Sequence, residues 1–287
     1  GRMSGINWYP GHMAKTRRAI EAVLPQVDVV AEITDARIPA SSRNPDLAAL
    51  TASKPHILIL NKCDLADPVQ NRKWVEFYRA QGHEALLFDC KNKKAASPAD
   101  FRAEVRRVFS EKSVRLAARG IRSRVVRLMV IGVPNVGKST FINFICGSAK
   151  TRAEDRPGVT RSLQWVPVAD GIDLLDVPGM LWGKLEDADA AEKLAITGAV
   201  NDLAVDTEAL GCRLLARLRT VYPKNLCERY RLTEIPQEAD DYELMQLIGK
   251  KRGFVVSGGE VDTERTALML LDEFRGGKMG RITLDVL

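Results

Sequence analysis

The stretch 131-IGVPNVGKST-140 decides the fold of this 287-residue chain. Residues 132–139 match G-x-x-x-x-G-K-[ST] at every fixed position, after a predicted strand and before a predicted helix. In that context backbone N–H groups and a helix N-terminus wrap the phosphates of a nucleotide. We expect Lys138 to reach the β- and γ-phosphates and the Ser139 hydroxyl to bind Mg²⁺. The other phosphate-facing positions of the predicted loop are Pro134, Asn135, Val136, Gly137 and Thr140.

A second phosphate-side motif, 176-DVPG-179, follows an apolar run just over 35 residues later. Asp176 is expected to hold Mg²⁺ through water, and the Gly179 N–H to sense the γ-phosphate. Between the two motifs lies 156-RPGVTRS-162, in which Thr160 is the candidate threonine that closes on Mg²⁺ in the triphosphate state. The alternative for Thr160 is an ordinary loop threonine.

A base-reading motif, 61-NKCD-64, terminates the apolar run 57-ILIL-60. The Asp64 carboxylate can accept from the N1–H and the exocyclic amine of guanine. Adenine has no such donor pair and would lose affinity. Asn61 is expected to bond the opposite edge of the base or to brace the phosphate loop, and the Lys62 stem to cover the ring. Cys90 is the candidate whose backbone N–H meets the guanine O6.

The base-reading motif precedes the phosphate loop, the reverse of the usual order in nucleotide switches. In a parallel α/β sheet the ligand lies at the carboxyl ends of the strands, so the pocket depends on which loops meet in space. A circular permutation therefore leaves the pocket intact. It also joins the segment after 176–179 directly to the C-terminal region, so we hypothesise that nucleotide state sets the pose of that region.

Short apolar, β-branched runs alternate with helical patterns in the first two thirds of the chain, which predicts a mostly parallel sheet with helices on both faces. The predicted strands are 27–37, 55–62, 84–90 and 126–133, with a hairpin of 164–170 and 172–179; the predicted helices are 68–82 and 97–120. After residue 185 only amphipathic helices are predicted, at 186–202, 208–223, 240–253 and 262–277. We therefore expect a nucleotide-binding α/β domain, 1–184, and a smaller all-α domain, 185–287.

Composition and charge limit the classes of protein. The five cysteines and three histidines are dispersed without ligand spacing, which favours reduced thiols in a cytoplasmic protein and argues against a His/Cys metal site. No apolar run reaches the roughly 20 residues of a membrane span, and no secretory signal is recognisable. A net charge of +6 and a pI near 9.1 are compatible with a polyanionic partner.

With NKxD ahead of the phosphate loop, the sequence resembles the circularly permuted GTPases, and most closely the RbgA/YlqF ribosome biogenesis family. The matching segments are 8-WYPGHMAK-15, 35-DARIPASSRNP-45, 61-NKCD-64, 132-GVPNVGKST-140, 156-RPGVTRS-162, 176-DVPGMLW-182, 222-YPKNLCERY-230 and 250-KKRG-253. The resemblance implies a circularly permuted P-loop GTPase fold, GTP and GDP as ligands with Mg²⁺, and hydrolysis of GTP to GDP and phosphate. Val177 departs from the family's usual threonine, and 90-CKN-92 lacks the common Ser-Ala-Lys form.

The residue that positions the attacking water is not evident, because Met180 stands where Ras-like switches carry a glutamine. His12 is one candidate, since the resemblance implies that its segment approaches the γ-phosphate; the alternative is an exposed or capping histidine. Asn135 is the other, because it resembles a K⁺ ligand of GTPases with asparagine at this position. K⁺ there would stabilise charge between the phosphates.

Basic residues cluster at 112–127, 150–161, 213–224 and 250–253. Each cluster alone is compatible with a solvated helix face, but with the family resemblance they indicate contacts to ribosomal RNA phosphates; no DNA partner is expected. The sequence therefore predicts a GTP-hydrolysing assembly factor that binds the large-subunit precursor and its rRNA in the GTP state and leaves after hydrolysis. The alternatives are a GTP-gated RNA-binding scaffold with incidental hydrolysis, and a GTPase serving RNA modification.

Overall fold

The computed structural model has a six-stranded sheet at its centre, in the order β4-β3-β2-β5-β7-β6. The strands are β2 (Val29–Asp35), β3 (His56–Asn61), β4 (Glu84–Leu87), β5 (Val126–Gly132), β6 (Trp165–Pro167) and β7 (Ile172–Asp176), and β1 (Ile6–Asn7) pairs separately with β8 (Lys184–Leu185). The structure describes residues 6–7, 11–120, 125–147, 163–168, 171–179, 184–185, 187–200 and 206–287.

Parallel pairing brings the predicted loops to one edge of this sheet. Strand β2 is buried along its whole length and pairs in parallel with β3 on one side and β5 on the other. Strand β7 continues the parallel arrangement beyond β5, whereas β6 runs antiparallel to β7 as the predicted hairpin requires. The prediction of a mostly parallel sheet is confirmed.

Helices cover both faces of the sheet because its side chains alternate in direction. In β2, Val29, Ala31 and Ile33 belong to one apolar cluster, while Val30 belongs to another on the opposite face. The helices of this part are α1 (Gly11–Val23), α2 (Pro45–Leu50), α3 (Pro68–Ala80), α4 (Pro98–Ala118) and α5 (Lys138–Cys146). Helices α3 and α4 were predicted; α2, only six residues long, falls below the length at which periodicity is visible.

The described residues of the C-terminal part of the chain contain five helices: α6 (Ala188–Thr197), α7 (Thr207–Val221), α8 (Pro223–Tyr230), α9 (Asp241–Lys251) and α10 (Thr263–Arg275). Helix α7 packs closely on its neighbours at Gly211, where an added Cβ would lie 2.8 Å from the Ala267 Cβ. Asp262 caps α10, since its side chain accepts from the Arg265 N–H. The division between residues 184 and 185 stays a prediction, because one apolar cluster includes both sheet residues and these helices.

None of the helices in the described ranges has the length and apolar character needed to cross a membrane.

The last residues of the chain return to the sheet. The Asp285 carboxylate is nearly buried and accepts hydrogen bonds from Ala40 N at 2.9 Å, Ser41 N at 2.8 Å, the Ser41 hydroxyl at 2.7 Å and Lys193 Nζ at 2.8 Å. The Trp74 indole donates to the Asp285 carbonyl at 2.8 Å. One carboxylate therefore ties the chain end to the segment after β2 and to α6.

Replacing Asp285 with alanine should lower the free energy of unfolding by about 2–4 kcal/mol. The substitution removes the acceptor of the buried Lys193 ammonium and of the partly buried bonds from Ala40 and Ser41, although Lys193 keeps a second contact to Asp189 at 2.7 Å. Urea denaturation checks this against Glu238→Ala, which removes an exposed carboxylate and should change stability by less than about 0.5 kcal/mol. Equal stability of the two variants would contradict the prediction.

Candidate nucleotide-binding site

The predicted phosphate loop joins β5 to α5 with two residues in the left-handed backbone region. Asn135 has φ +61°, and Gly137, the N-cap residue of α5, has φ +89°. Lys138 follows as the first residue of the helix and is buried. The loop therefore turns sharply and presents the α5 N-terminus to the carboxyl edge of the sheet, which is the geometry that binds phosphate.

The base-reading segment contacts this loop directly. The Asn61 amide donates to the Val136 carbonyl at 3.0 Å, and Lys62 Nζ donates to the Asn135 carbonyl at 3.2 Å. Gly137 lies so close that a Cβ there would be 2.4 Å from Asn61 Nδ2. Of the two roles expected for Asn61, the structure shows the one that braces the phosphate loop.

Asp64 lies beside the loop that follows β4. One of its carboxylate oxygens accepts from the Asn92 amide at 2.6 Å, a contact that the sequence did not reveal. Cys90 is buried in the same loop, and its thiol donates to the Asn61 Oδ1 at 3.5 Å. Burial raises the pKa of Cys90 to about 11, so the thiol remains protonated near neutral pH. The residues predicted to read the base are therefore neighbours.

A buried ion pair at the end of β2 adjoins Lys62. The Arg37 guanidinium donates two bonds to the Asp35 carboxylate, at 3.0 and 2.7 Å. Burial alone would raise the pKa of Asp35, but the charge and hydrogen bonds of Arg37 outweigh it and the pKa is lowered. Burial also lowers the pKa of Lys62. This ion pair holds the first residues of the loop that follows β2, and that loop lies beside the base-reading segment.

On the phosphate side, Lys138 and Asp176 form an ion pair with each other. Both side chains are largely buried and in contact. The ammonium expected to meet the γ-phosphate and the carboxylate expected to meet Mg²⁺ therefore lie side by side. Asp176, and Ser139 as the residue after Lys138 in the chain, carry the hard oxygen donors that Mg²⁺ prefers, and the Asp176 carboxylate already faces a cation in Lys138. Gly179 packs against the phosphate loop, with an added Cβ 3.3 Å from the Pro134 Cα.

The two candidates for assisting hydrolysis differ in how far the structure describes them. The exposed Asn135 donates its amide to the Ala199 carbonyl, just after α6, at 3.4 Å, which leaves its Oδ1 as an acceptor. His12 lies in α1, and its side chain is outside the described part. Thr160 and Met180 are also outside the described residues.

Comparison with known proteins agrees with this geometry. Residues 127–215 match a protein family described as 50S ribosome-binding GTPase. The ribosome biogenesis GTPase A of Priestia megaterium is 42% identical over 98% of this chain and 96% of its own length, and that of Thermotoga maritima is 30% identical over 98% and 94%. The chain belongs to the ribosome biogenesis GTPase A (RbgA/YlqF) family.

Solved structures of the RbgA/YlqF family support the same assignment. The GNP-bound YlqF of T. maritima matches with a TM-score of 0.63 and 26% identity, over 95% of this chain and all of that one. Its GDP-bound structure also matches with a TM-score of 0.63. This RbgA/YlqF family member is therefore a guanine nucleotide-binding, GTP-hydrolysing enzyme of ribosome biogenesis, and the predicted GTPase fold is confirmed.

Replacing Gly137 with alanine should weaken GDP binding at least about 10-fold, a loss of about 1.4 kcal/mol. The new Cβ would displace the Asn61 amide from the phosphate loop, in addition to the backbone strain of a positive φ. Titration with a fluorescent GDP analogue measures the change.

Gly147→Ala is the matched control, because Gly147 ends the same helix with φ +67° but has open space at its Cβ position. It should lose stability through backbone strain and keep its affinity for GDP within about 2-fold. Equal losses of GDP affinity in both variants would show that the Asn61 contact is unimportant.

Proposed function

We propose that this GTPase assists assembly of the large ribosomal subunit, binding a precursor and its rRNA in the GTP state and leaving after hydrolysis. The observation that carries the proposal is the contact between the base-reading segment and the phosphate loop. Asn61 and Lys62 donate hydrogen bonds to that loop although they precede it in the chain. Relatives across nearly the whole chain are ribosome biogenesis GTPases, and the matched family is described by binding to the 50S particle.

In the proposed site, Asp64 reads guanine, the Lys62 stem covers the ring, the Cys90 N–H meets the guanine O6, and Asn61 braces the phosphate loop. Backbone groups of 134–140 hold the phosphates together with Lys138. Ser139, Thr160 and Asp176 would hold Mg²⁺, which would supply neutralising charge to the phosphates. The Asn135 Oδ1 is the candidate K⁺ ligand, because its amide nitrogen is already directed to Ala199.

A contact path connects this site to the C-terminal helices. The segment that follows Gly179 leads through β8 into α6, whose C-terminal end reaches the phosphate loop through the bond between Asn135 and Ala199. From α10, Arg275 holds the same helix end by donating to the Ala195 and Ile196 carbonyls, each at 2.9 Å. These contacts support the proposal that nucleotide state sets the pose of a C-terminal domain, residues 185–287.

The basic clusters differ in how much of their charge is already paired. In the 213–224 cluster, Arg213 and Arg217 lie against acidic residues of α6. In the 250–253 cluster, Arg252 is paired with Glu273, whereas Lys250 and Lys251 are exposed, and we propose these two lysines as the better candidates for rRNA phosphate contacts. The 150–161 cluster lies outside the described residues, as does part of 112–127.

Replacing Asp64 with asparagine should weaken GTP binding about 10- to 100-fold and shift preference toward xanthosine nucleotides. The amide no longer accepts from both guanine donors and instead offers a donor to the xanthine O2. Competition of GTP and XTP against labelled GDP measures the preference. Asp67→Asn, a nearby cap residue of α3, should keep the preference for GTP. An unchanged preference in Asp64→Asn would defeat the base assignment.

Purified large ribosomal subunits should stimulate GTP turnover by the wild-type protein, more strongly in K⁺ than in Na⁺ buffer. His12→Ala should lose that stimulation while retaining nucleotide and subunit binding, because the γ-phosphate side would lack its water-positioning group. Phosphate release measures turnover, and Glu21→Ala on the exposed part of α1 is the control. Absence of stimulation under every condition would instead favour the GTP-gated RNA-binding scaffold.

A further inference from the structure

The end of the chain holds the turn that contains Asp64. The Arg281 guanidinium donates from Nε to the Ala66 carbonyl at 2.7 Å and from Nη2 to the Cys63 carbonyl at 2.8 Å. The next backbone amide, Ile282 N, donates to the Leu65 carbonyl at 3.1 Å. Two consecutive residues thus bind three of the four carbonyls of the turn 63–66.

This turn has little internal support of its own. It is a single 3₁₀ turn, Cys63–Leu65, entered from Lys62 in the left-handed region with φ +59°. Its own bonds are Leu65 N to the Lys62 carbonyl at 3.0 Å and Ala66 N to the Cys63 carbonyl at 3.2 Å. Because 3₁₀ turns have poorer hydrogen-bond geometry than α-helices, contacts from outside decide how firmly such a turn is held.

Further contacts anchor the same tail on both sides of the turn. Asp67 N donates to the Thr283 hydroxyl at 3.0 Å, and Leu284 N donates to the Arg37 carbonyl at 2.8 Å. Gly277 passes so close that an added Cβ would be 2.7 Å from the Leu65 Cδ2. The tail residues that make these contacts are buried, since Ile282 is 1% and Thr283 0% exposed.

We propose that Arg281 is a positioning residue for guanine selectivity, acting through the Cys63 and Ala66 carbonyls that flank Asp64. The planar guanidinium donates from two fixed directions, so it sets the distance between two carbonyls as a flexible ammonium would not. The Asp64 carboxylate is thereby held at the position where it accepts from two guanine donors, with Asn92 supporting it from the other side. The inference rests on the proposed role of Asp64 as the guanine reader.

Inosine diphosphate (IDP) distinguishes a misplaced Asp64 from a general loss of protein stability. It lacks the 2-amino group, so its base offers Asp64 one donor where guanine offers two. In the full chain, Arg281→Ala should reduce the ratio of GDP to IDP affinity about 3- to 10-fold, the effect of one misplaced hydrogen bond. IDP affinity itself should fall less than GDP affinity. Arg281→Lys should restore part of the ratio, since an ammonium can still donate to one carbonyl.

Arg229→Ala is the matched control, because Arg229 also makes two side-chain hydrogen bonds, but to Glu273 within the C-terminal helices. It should keep the wild-type ratio. If Arg281→Ala does not fold, Thr283→Val removes the neighbouring anchor to Asp67 and should lower the ratio in the same direction, by a smaller factor.

Equal weakening of GDP and IDP in the Arg281 and Thr283 variants, or no weakening, would overturn the inference while leaving the base assignment standing. A wild-type protein that binds GDP and IDP equally would overturn the proposed guanine reader itself, and this inference with it.

Discussion

The site depends on the parallel pairing of β2 with β3 on one side and β5 on the other. Its register sets Asp35 opposite Asn61 and Ile33 opposite Gly132, so the two loops leave the sheet at the same edge. Only then can the Asn61 amide reach the Val136 carbonyl across 75 residues of sequence. Because sheet pairing specifies position irrespective of chain order, the permuted motifs still form one pocket.

Chain order nevertheless determines what the site is connected to. The helical region follows the segment after Gly179, and the chain end returns from it to the base-reading side through Arg281 and Asp285. The same region reaches the phosphate side through Arg275 and α6. Segments after α6 and after α10 therefore contact the phosphate loop and the base-reading turn, an arrangement that allows a partner bound to the C-terminal region to influence nucleotide binding reciprocally.

Local patterns predicted most of the fold and the nucleotide motifs, because buried strands, caps and phosphate loops are specified over ten residues or fewer. The hairpin around Gly171 is an example. The contacts of Asn92 with Asp64 and of Arg281 with Cys63 were not predictable. Each contact joins separate segments, the second across 218 residues. The residues next to such an asparagine or arginine in the sequence give no sign of the contact.

The ion pair between Lys138 and Asp176 determines which charges a bound nucleotide must compensate. Removing one partner from a buried pair leaves an uncompensated charge, which costs several kcal/mol, on the order of 3–5. A phosphate that took Lys138 alone would leave the Asp176 carboxylate buried without a cation. If the nucleotide enters with Mg²⁺ as proposed, Asp176 would gain that cation as Lys138 turned to the phosphate, and each charge would remain compensated. On that proposal, the pair would favour entry of the magnesium-bound nucleotide over the free anion.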